Sequence, residues 1–301
     1  VLLEGFTVPA FIRVVHQERV TIAFLLLPWL QDILVALDAG RISDVADALC
    51  SLRLIHTGAQ PIPPSVVEQL RQHFPQIALG ISYGLTEAGG PGVLNLRMED
   101  IERSGSVGLP PPGWQARVVD DAGNETPPQA PGELLLKGPH MMSRYYKSEA
   151  ATEEVLAGGW LHTGDIACRD IDGYYYIVGR RKEIIISGGE NIYPQRIENF
   201  LRQLPGVKDT GVFGLRHCRL GEAVAAQIEL APGASYTEEE VLDYCQGLPR
   251  FERPLRVFFG PVPRNPTGKI EKQLLQALYQ NEPLPIRRGG PIPGSSQESS
   301  P

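Results

Sequence analysis

Residues 162–194, HTGDIACRDIDGYYYIVGRRKEIIISGGENIYP, carry the clearest indications of fold and chemistry in this chain. Apolar and polar residues alternate up to Tyr176 around a DIDG turn, which predicts β structure. A second β-rich run over residues 183–187 leads to two glycines, and Pro194 is suited to begin a helix. Asp165 has the chemistry to grip a ribose diol, and Arg180 has the chemistry to pair with phosphate oxygens.

The composition is that of a folded, acidic protein. The chain has 301 residues, of which 42% are hydrophobic, so it can bury a sizeable core in about two domains. Its formal net charge is -7. Because nonspecific nucleic-acid binding needs a basic surface that neutralises phosphates, we expect no nucleic-acid partner.

The cysteines indicate a reducing compartment. Cys50, Cys168, Cys218 and Cys245 are far apart, with no CxxC pair and no Cys/His spacing typical of zinc sites. We therefore predict reduced thiols in a cytoplasmic protein.

The apolar run of residues 22–30 is about half as long as a membrane-spanning helix and contains Pro28. We interpret it as a buried strand that enters a turn, and we expect no stable membrane insertion. The chain begins VLLEGFTVPA, without a Met and without the pattern of a signal peptide. We therefore expect Val1 to lie inside a longer parent sequence.

Helix-like and strand-like segments alternate through the first part of the chain. Residues 9–18 and 65–73 have helical spacing, whereas residues 20–27 and 52–56 are β-rich apolar runs. This alternation predicts a layered α/β sheet.

The pattern then changes to short β-rich pieces separated by turn residues. Residues 115–119 and 132–137 are examples from a segment that extends over residues 105–176. They predict a small barrel or an antiparallel sheet.

After Gly179 the pattern is that of a compact α+β unit of about 100 residues. Its predicted strands lie near Gly211 and Val224 and over residues 255–259, and its predicted helices cover residues 194–203 and 237–246. From Glu282 onward, the sequence is rich in Pro, Gly and Ser, which predicts a disordered tail.

Two further motifs, YGLTE at residues 83–87 and PRNPTGK at residues 263–269, accompany HTGD and GRRKE. With all four motifs, the chain resembles the adenylate-forming acyl- and aryl-CoA synthetases over roughly residues 1–280. The resemblance implies an α/β fold that begins with the C-terminal portion of a large AMP-binding domain, residues 1–178. That portion would hold a partial layered α/β sheet over about residues 1–104 and a small β subdomain over about residues 105–178. A mobile α+β domain over residues 179–281 and the tail over residues 282–301 would follow.

The YGLTE and HTGD motifs would hold the nucleotide. Tyr83 offers a flat face to a purine, Thr86 a hydroxyl to a phosphate oxygen, and Glu87 a hard oxygen ligand to Mg²⁺. The resemblance assigns the ribose hydroxyls to Asp165 and the ribose and phosphate side to Arg180. The full set expected to bind ATP or AMP is Gly58, Ala59, Gln60, Tyr83, Gly84, Thr86, Asp165, Arg180 and Lys269.

Lys269 follows a turn made by Pro266 and Gly268, where a cation can meet the charge that develops on the α-phosphate. The resemblance makes Lys269 the catalytic lysine, assisted by Thr86 and Glu87.

Lys182 falls at the family's hinge, although a charged residue in a solvated linker is the alternative. The resemblance places Gly188, Gly189 and Glu190 in the channel for coenzyme A, although a glycine turn between a strand and a helix is again the alternative.

A substrate pocket is expected next to the nucleotide. His56 precedes a small-residue loop, GAQP at residues 58–61, and the small residues after YGLTE leave room for a ring or an acyl chain. The expected lining is His56, Ala88, Gly89 and Gly90.

The family's Ser/Thr/Gly-rich pyrophosphate loop has no counterpart in residues 1–56. We therefore expect a fragment with weak ATP binding and poor stability in isolation. In full length it would be a ligase that uses ATP, Mg²⁺ and coenzyme A to activate a carboxylic acid, either fatty or aromatic, as a small-molecule substrate, and a homodimer is a further possibility. The alternatives are an adenylating enzyme that loads a carrier protein or performs an oxidation, and an inactive nucleotide-binding or interaction remnant.

Overall fold

The computed structural model describes residues 1–42, 45–58, 62–95, 100, 103, 105–265 and 269–284. These residues form two compact units. The first contains Val1–Ile184, Tyr193–Gln203 and Arg264–Lys269, and the second contains Ile185–Ile192, Leu204–Pro263 and the described residues from Ile270 onward.

The first unit begins with a layered α/β sheet. Its first three strands run parallel and the fourth pairs antiparallel, in the order β1-β2-β3-β4. The strands are β1 (Ile22–Phe24), β2 (Leu54–Gly58), β3 (Ala78–Leu85) and β4 (Gly90–Leu94). The helices are α1 (Val8–Glu18), α2 (Leu27–Asp38), α3 (Val45–Ala48) and α4 (Pro64–His73).

Helix α1 shows how local sequence sets these elements. The Thr7 side chain accepts the Ala10 N–H at 3.3 Å at its N-terminus. Phe11 and Val15, one turn apart, face a core that they share with residues of α2, β2 and α4, such as Leu30, Ile55 and Leu70.

The interpretation of residues 22–30 as a buried strand is wrong. Strand β1 ends at Phe24, and α2 begins at Leu27 with Pro28 in its first turn. The ring of Pro28 lacks an N–H, but the first turn of a helix needs none. Ile22 and Phe24 on β1 are 58% and 55% exposed, so the apolar run does not form a buried strand.

An antiparallel sheet completes the large part of the first unit. Its strands follow one another in the order β5-β6-β7-β8. They are β5 (Gln115–Val119), β6 (Gly132–Lys137), β7 (Leu161–Arg169) and β8 (Tyr175–Arg180), and helix α5 (Glu149–Val155) precedes β7. Of the two predicted forms the antiparallel sheet is correct, because in the described strands β5 and β8 remain edges and close no barrel.

The two sheets of this unit are joined directly. Leu94 at the end of β4 bridges to Leu109, and Gly108 bridges to Tyr175 at the start of β8. Helix α6 (Pro194–Leu201) forms within the predicted residues 194–203, and it belongs to this unit, whereas the sequence pattern placed it in the α+β unit after Gly179.

The second unit is an α+β sheet with its own core. Its strands are β9 (Ile185–Ser187), β10 (Glu190–Ile192), β11 (Val207–His217), β12 (Gly221–Leu230) and β13 (Arg256–Phe259). Its helices are α7 (Glu238–Tyr244), with a capping box between Thr237 and Glu240, and α8 (Lys272–Tyr279). Phe213, Ala225 and Leu275 pack together in the core.

The helices in the described ranges are too short or too polar to cross a membrane.

Candidate nucleotide site

Three residues that are distant in sequence form one hydrogen-bonded group in the first unit. The Tyr83 hydroxyl on β3 donates to Oδ2 of Asp165 on β7 at 2.5 Å. Arg180 on β8 places its Nε 3.0 Å from Oδ1 of the same carboxylate. Asp165 and Arg180 are cross-strand partners in the β7–β8 pair, so the sheet itself sets their spacing.

A bulge in β7 controls the direction of Asp165. His162 pairs with Leu135 and Ile166 pairs with Glu133, so residues 163–165 lie opposite the single residue Leu134. Gly164, at the centre of the bulge, has φ of 68°, which glycine adopts without strain. Bulges bend a strand and change the direction of a side chain, and this one lies beside the Tyr83 contact.

Asp165 is 5% exposed. Its burial and the nearby positive charges shift its pKa in opposite directions. Burial raises the pKa of Asp165 above its ordinary value, while the Tyr83 hydrogen bond and the positive charges of Arg180 and Lys269 oppose the rise. Burial and the Asp165 carboxylate raise the pKa of Tyr83, so its hydroxyl remains a donor.

The YGLTE motif extends from a strand into a tight turn. Tyr83 and Gly84 are still in β3, and Thr86–Ala88 form a short 3₁₀ helix that ends at Gly89. A side chain at Gly84 would bring its Cβ within 2.2 Å of the Gly90 carbonyl oxygen, so β3 and β4 can approach only with glycine there.

Glu87 is held by its neighbours on two sides. The Tyr145 hydroxyl donates to Oε1 of Glu87 at 2.7 Å, and the Met142 N–H donates to the Glu87 carbonyl oxygen at 2.7 Å. The hydrogen bond with Glu87 raises the pKa of Tyr145 to about 12.

Glu87 fits the way magnesium is bound in nucleotide sites. Within the described ranges, no three or more His, Cys, Asp or Glu side chains cluster as a metal cage. Mg²⁺ in such sites uses one or two carboxylates together with phosphate oxygens and water, so one oriented glutamate is a suitable ligand.

The GAQP region is described only in part. Gly58 ends β2, and a Cβ there would lie 2.8 Å from the Ser82 carbonyl oxygen on β3. Ala59 and Gln60 lie outside the described residues. His56, two residues earlier, places Nε2 3.0 Å from the Ser82 hydroxyl, and burial lowers the pKa of His56.

The expected wall of the substrate pocket lies beside this turn. Ala88 is fully buried in the apolar cluster that includes Val93 and Leu136. Gly89 approaches the His140 carbonyl so closely that a Cβ would lie 2.4 Å from that oxygen. Gly90 begins β4. Their role in substrate binding stays a prediction.

Lys269 has an exposed side chain, and its backbone is hydrogen-bonded to Asn265. Its N–H donates to the Asn265 side-chain oxygen at 3.0 Å, and its carbonyl accepts the Asn265 N–H at 2.9 Å. Residues 266–268, between them in the chain, lie outside the described residues.

Lys182 lies in a short 3₁₀ helix, Arg181–Glu183, that follows β8 directly. The strand predicted over residues 183–187 therefore begins two residues later than expected, at Ile185. The hinge role of Lys182 stays a prediction.

The segment expected to line the coenzyme A channel forms a hairpin in the second unit. Ser187 pairs with Glu190, and Gly188 and Gly189 between them have φ of 61° and 90°. Two central residues with positive φ are typical of a type I′ turn. The two glycines therefore form the turn of a two-strand hairpin, and α6 follows it in the chain. The coenzyme A role of Gly188, Gly189 and Glu190 stays a prediction.

The contacts identify two residues that the sequence did not suggest. Tyr145 contacts Glu87, and Glu133 contacts the β7 bulge next to Asp165. Both residues are distant in sequence from the residues that they contact. Glu133 lies on a strand and Tyr145 in a loop, and neither belongs to a recognisable motif.

Comparison with known families places this group of residues in context. A family model described as AMP-binding enzyme matches residues 1–146, and a model described as AMP-binding enzyme C-terminal domain matches residues 196–269. The chain belongs to the AMP-binding enzymes. The predicted resemblance to adenylate-forming synthetases is thereby confirmed.

Two curated relatives agree with this assignment. The indoleacetate–CoA ligase of Aromatoleum aromaticum is 34% identical over 282 residues, which are 92% of this chain and 54% of the ligase. The feruloyl-CoA synthase of an Amycolatopsis species is 37% identical over 275 residues, covering 90% of this chain and 54% of the synthase. The chain spans about half the length of these curated relatives.

A solved structure confirms the predicted α/β fold class. The o-succinylbenzoate CoA synthetase MenE of Bacillus subtilis, in complex with ATP and magnesium ion, matches with a TM-score of 0.80 and 30% identity. The match covers 91% of this chain and 55% of MenE.

Proposed function

We propose that the protein containing this chain activates a carboxylic acid with ATP and transfers the acyl group to coenzyme A. The observation that carries the proposal is the Tyr83–Asp165–Arg180 group, which unites YGLTE, HTGD and GRRKE within the reach of the Lys269 charge. Membership of the AMP-binding enzymes and similarity to proteins named as CoA ligases support the same reaction.

The residues of this group suit a nucleoside monophosphate. A buried carboxylate accepts hydrogen bonds from ribose hydroxyls, and its neighbours keep it fixed and oriented. The ring of Tyr83 is held by its hydroxyl, which leaves the face of the ring for a purine. Arg180, whose side chain is more than half exposed, has further N–H donors for phosphate oxygens.

Two displacement steps follow from these positions. In the first, a carboxylate oxygen of the acid attacks the α-phosphorus of ATP, and the bond to pyrophosphate breaks to give the acyl adenylate. Lys269 meets the negative charge that builds up between the attacking oxygen and the phosphate. In the second, the coenzyme A thiolate attacks the acyl carbon and AMP leaves as the mixed anhydride bond breaks.

Glu87, with Thr86 beside it, would hold magnesium at the phosphates. A bound Mg²⁺ neutralises phosphate charge and makes the α-phosphorus more open to attack. The Tyr145 hydroxyl holds Glu87 Oε1 and so orients the carboxylate before the metal arrives.

Replacing Tyr145 with phenylalanine is therefore expected to raise the Mg²⁺ concentration needed for half-maximal adenylation by roughly tenfold. The maximal rate at saturating Mg²⁺ should change little, because Tyr145 touches the ligand and not the reacting atoms. The exchange of labelled pyrophosphate into ATP, measured across a Mg²⁺ series, gives both values. Direct titration with Mn²⁺ in the presence of ATP gives the metal affinity independently.

Tyr146→Phe is the matched control, because Tyr146 is the next residue and its side chain is largely exposed. We expect this variant to retain the original Mg²⁺ requirement. Equal Mg²⁺ curves for Tyr145→Phe and Tyr146→Phe would rule out an orienting role for Tyr145.

The second step would use the hairpin of Gly188, Gly189 and Glu190 and a rotation about Lys182. The support is the family resemblance and the low bulk of the hairpin turn, which leaves room for the narrow pantetheine arm. The acceptor is tested by product analysis with coenzyme A and with a carrier protein that bears phosphopantetheine. Thioester formation with the carrier alone would favour the carrier-loading alternative.

We also propose a reducing compartment such as the cytoplasm, because the four cysteines are free.

Calorimetric titration of the chain with ATP and with a nonhydrolysable acyl-adenylate mimic tests the proposal. The mimic carries the adenosine group that Tyr83, Asp165 and Arg180 are proposed to hold, so we expect it to bind. ATP is expected to bind more weakly. An inactive remnant would bind neither ligand.

A further inference from the structure

We propose that Glu133 is a positioning residue that fixes the β7 bulge and so aims Asp165 at the ribose. The inference rests on the proposed function, because it assigns the ribose hydroxyls to Asp165. Glu133 lies on β6, opposite the residue that follows the bulge, and its side chain is 11% exposed.

The bulge frees backbone groups that need new partners. Residues 163–165 leave the regular pairing with β6, so the N–H groups that would face β6 lose the carbonyl partners of an ordinary ladder. A buried N–H without a partner is costly, and a side chain can replace the missing acceptor.

Glu133 supplies such an acceptor. The Gly164 N–H donates to Glu133 Oε1 at 3.2 Å. The Asp165 N–H donates to the Thr163 hydroxyl oxygen at 3.1 Å, and that hydroxyl donates to the Leu134 carbonyl at 2.7 Å. Glu133 therefore holds the centre of the bulge at Gly164. The Thr163 hydroxyl connects the Asp165 N–H on β7 to the Leu134 carbonyl on β6.

The other carboxylate oxygen of Glu133 contacts His162 on β7 and Arg181 just after β8. His162 Nδ1 lies 3.2 Å from Oε2, and Arg181 Nη1 donates to Oε2 at 3.2 Å. Arg181 directly follows Arg180, the cross-strand partner of Asp165. One carboxylate thus fixes the strand that carries Asp165 and the end of the strand that carries Arg180.

The affinity for AMP relative to 2′,3′-dideoxy-AMP tests this role, because the ratio isolates the ribose hydroxyls. For the unchanged chain we expect calorimetry to give at least about tenfold tighter binding of AMP, the usual effect of a charge-assisted hydrogen bond. In Glu133→Ala the ratio is expected to fall to about threefold or less, while the affinity for the dideoxy compound changes little. A general loss of structure would lower the affinity for both nucleotides by the same factor.

Three further variants sharpen the result. Glu133→Gln keeps an acceptor oxygen for Gly164 and is expected to retain most of the ribose discrimination. Glu133→Asp keeps the carboxylate charge, but its side chain is one methylene shorter. Its preference for AMP over the dideoxy compound should therefore fall. Glu125→Gln is the matched control, since Glu125 is an exposed partner of Arg117 in the same part of the unit, and its ratio should not change.

The outcomes separate this inference from the proposed function. If the unchanged chain does not discriminate between the two nucleotides, the nucleotide site itself fails. If it discriminates and Glu133→Ala discriminates equally, the positioning role of Glu133 is overturned. If Glu133→Ala does not fold, Glu133→Asp decides, and an unchanged ratio in that variant overturns the role. A Gln variant as impaired as the Ala variant overturns the assignment of the Gly164 bond.

Discussion

Replacing Lys269 with alanine is expected to slow acyl-adenylate formation by roughly 100- to 1000-fold, while thioester formation from supplied acyl adenylate stays nearly unchanged. The exposed side chain acts on the Asp165 carboxylate through its charge. A fixed cation at this place is worth most when negative charge develops at the α-phosphate, and the thioester step does not pass through that state.

The variant should keep its local fold. Both hydrogen bonds between Lys269 and Asn265 use backbone atoms of Lys269, so the alanine retains them. The two steps are measured separately, by pyrophosphate exchange and by the consumption of synthetic acyl adenylate with coenzyme A. Lys147→Ala, which removes another exposed lysine charge, is the control and should retain both rates. Equal losses in the two steps of Lys269→Ala would contradict a role confined to adenylation.

The sequence predicts best those strands that are short β-rich runs flanked by turn residues. Strands β5 and β6 have the predicted bounds, because turn residues mark both ends of each run. The prediction of a buried strand over residues 22–30 was wrong because the sequence pattern there is ambiguous. A short continuous apolar run fits a strand or a buried helix equally, and Pro28 stops a strand but also suits the first turn of a helix.

Contacts across long stretches of chain could not be predicted from single residues. Tyr83, Asp165 and Arg180 were grouped by resemblance, and the structure brings their side chains together. Glu133 and Tyr145 had no such guide, because their importance depends on a bulge and on a tertiary hydrogen bond. The domain boundaries near residue 179, and the roles of Lys182 and the hairpin glycines, stay predictions.

Replacing Asp165 with alanine is expected to weaken the affinity for AMP by about 100-fold, because two charge-assisted hydrogen bonds to the ribose are lost. Asp165→Asn keeps one acceptor without the charge, so its loss should be nearer tenfold. Calorimetric titration measures both values. Asp32→Asn is the control, because Asp32 is exposed on α2, and this variant should bind AMP normally.

Asp165→Asn should leave the stability of the fold unchanged. A loss of AMP affinity in this variant then reports on binding and not on folding. Burial raises the pKa of Asp165, so the folded chain takes up a proton at a higher pH than the unfolded chain does. Stability therefore falls as pH rises from the unfolded pKa through the raised folded pKa, and at neutral pH the ionised carboxylate weakens the fold. Asparagine carries no such charge, so Tm at pH 7 should not decrease in Asp165→Asn, whereas AMP affinity does. A lower Tm with unchanged AMP affinity would mean that this carboxylate serves the fold and not the nucleotide.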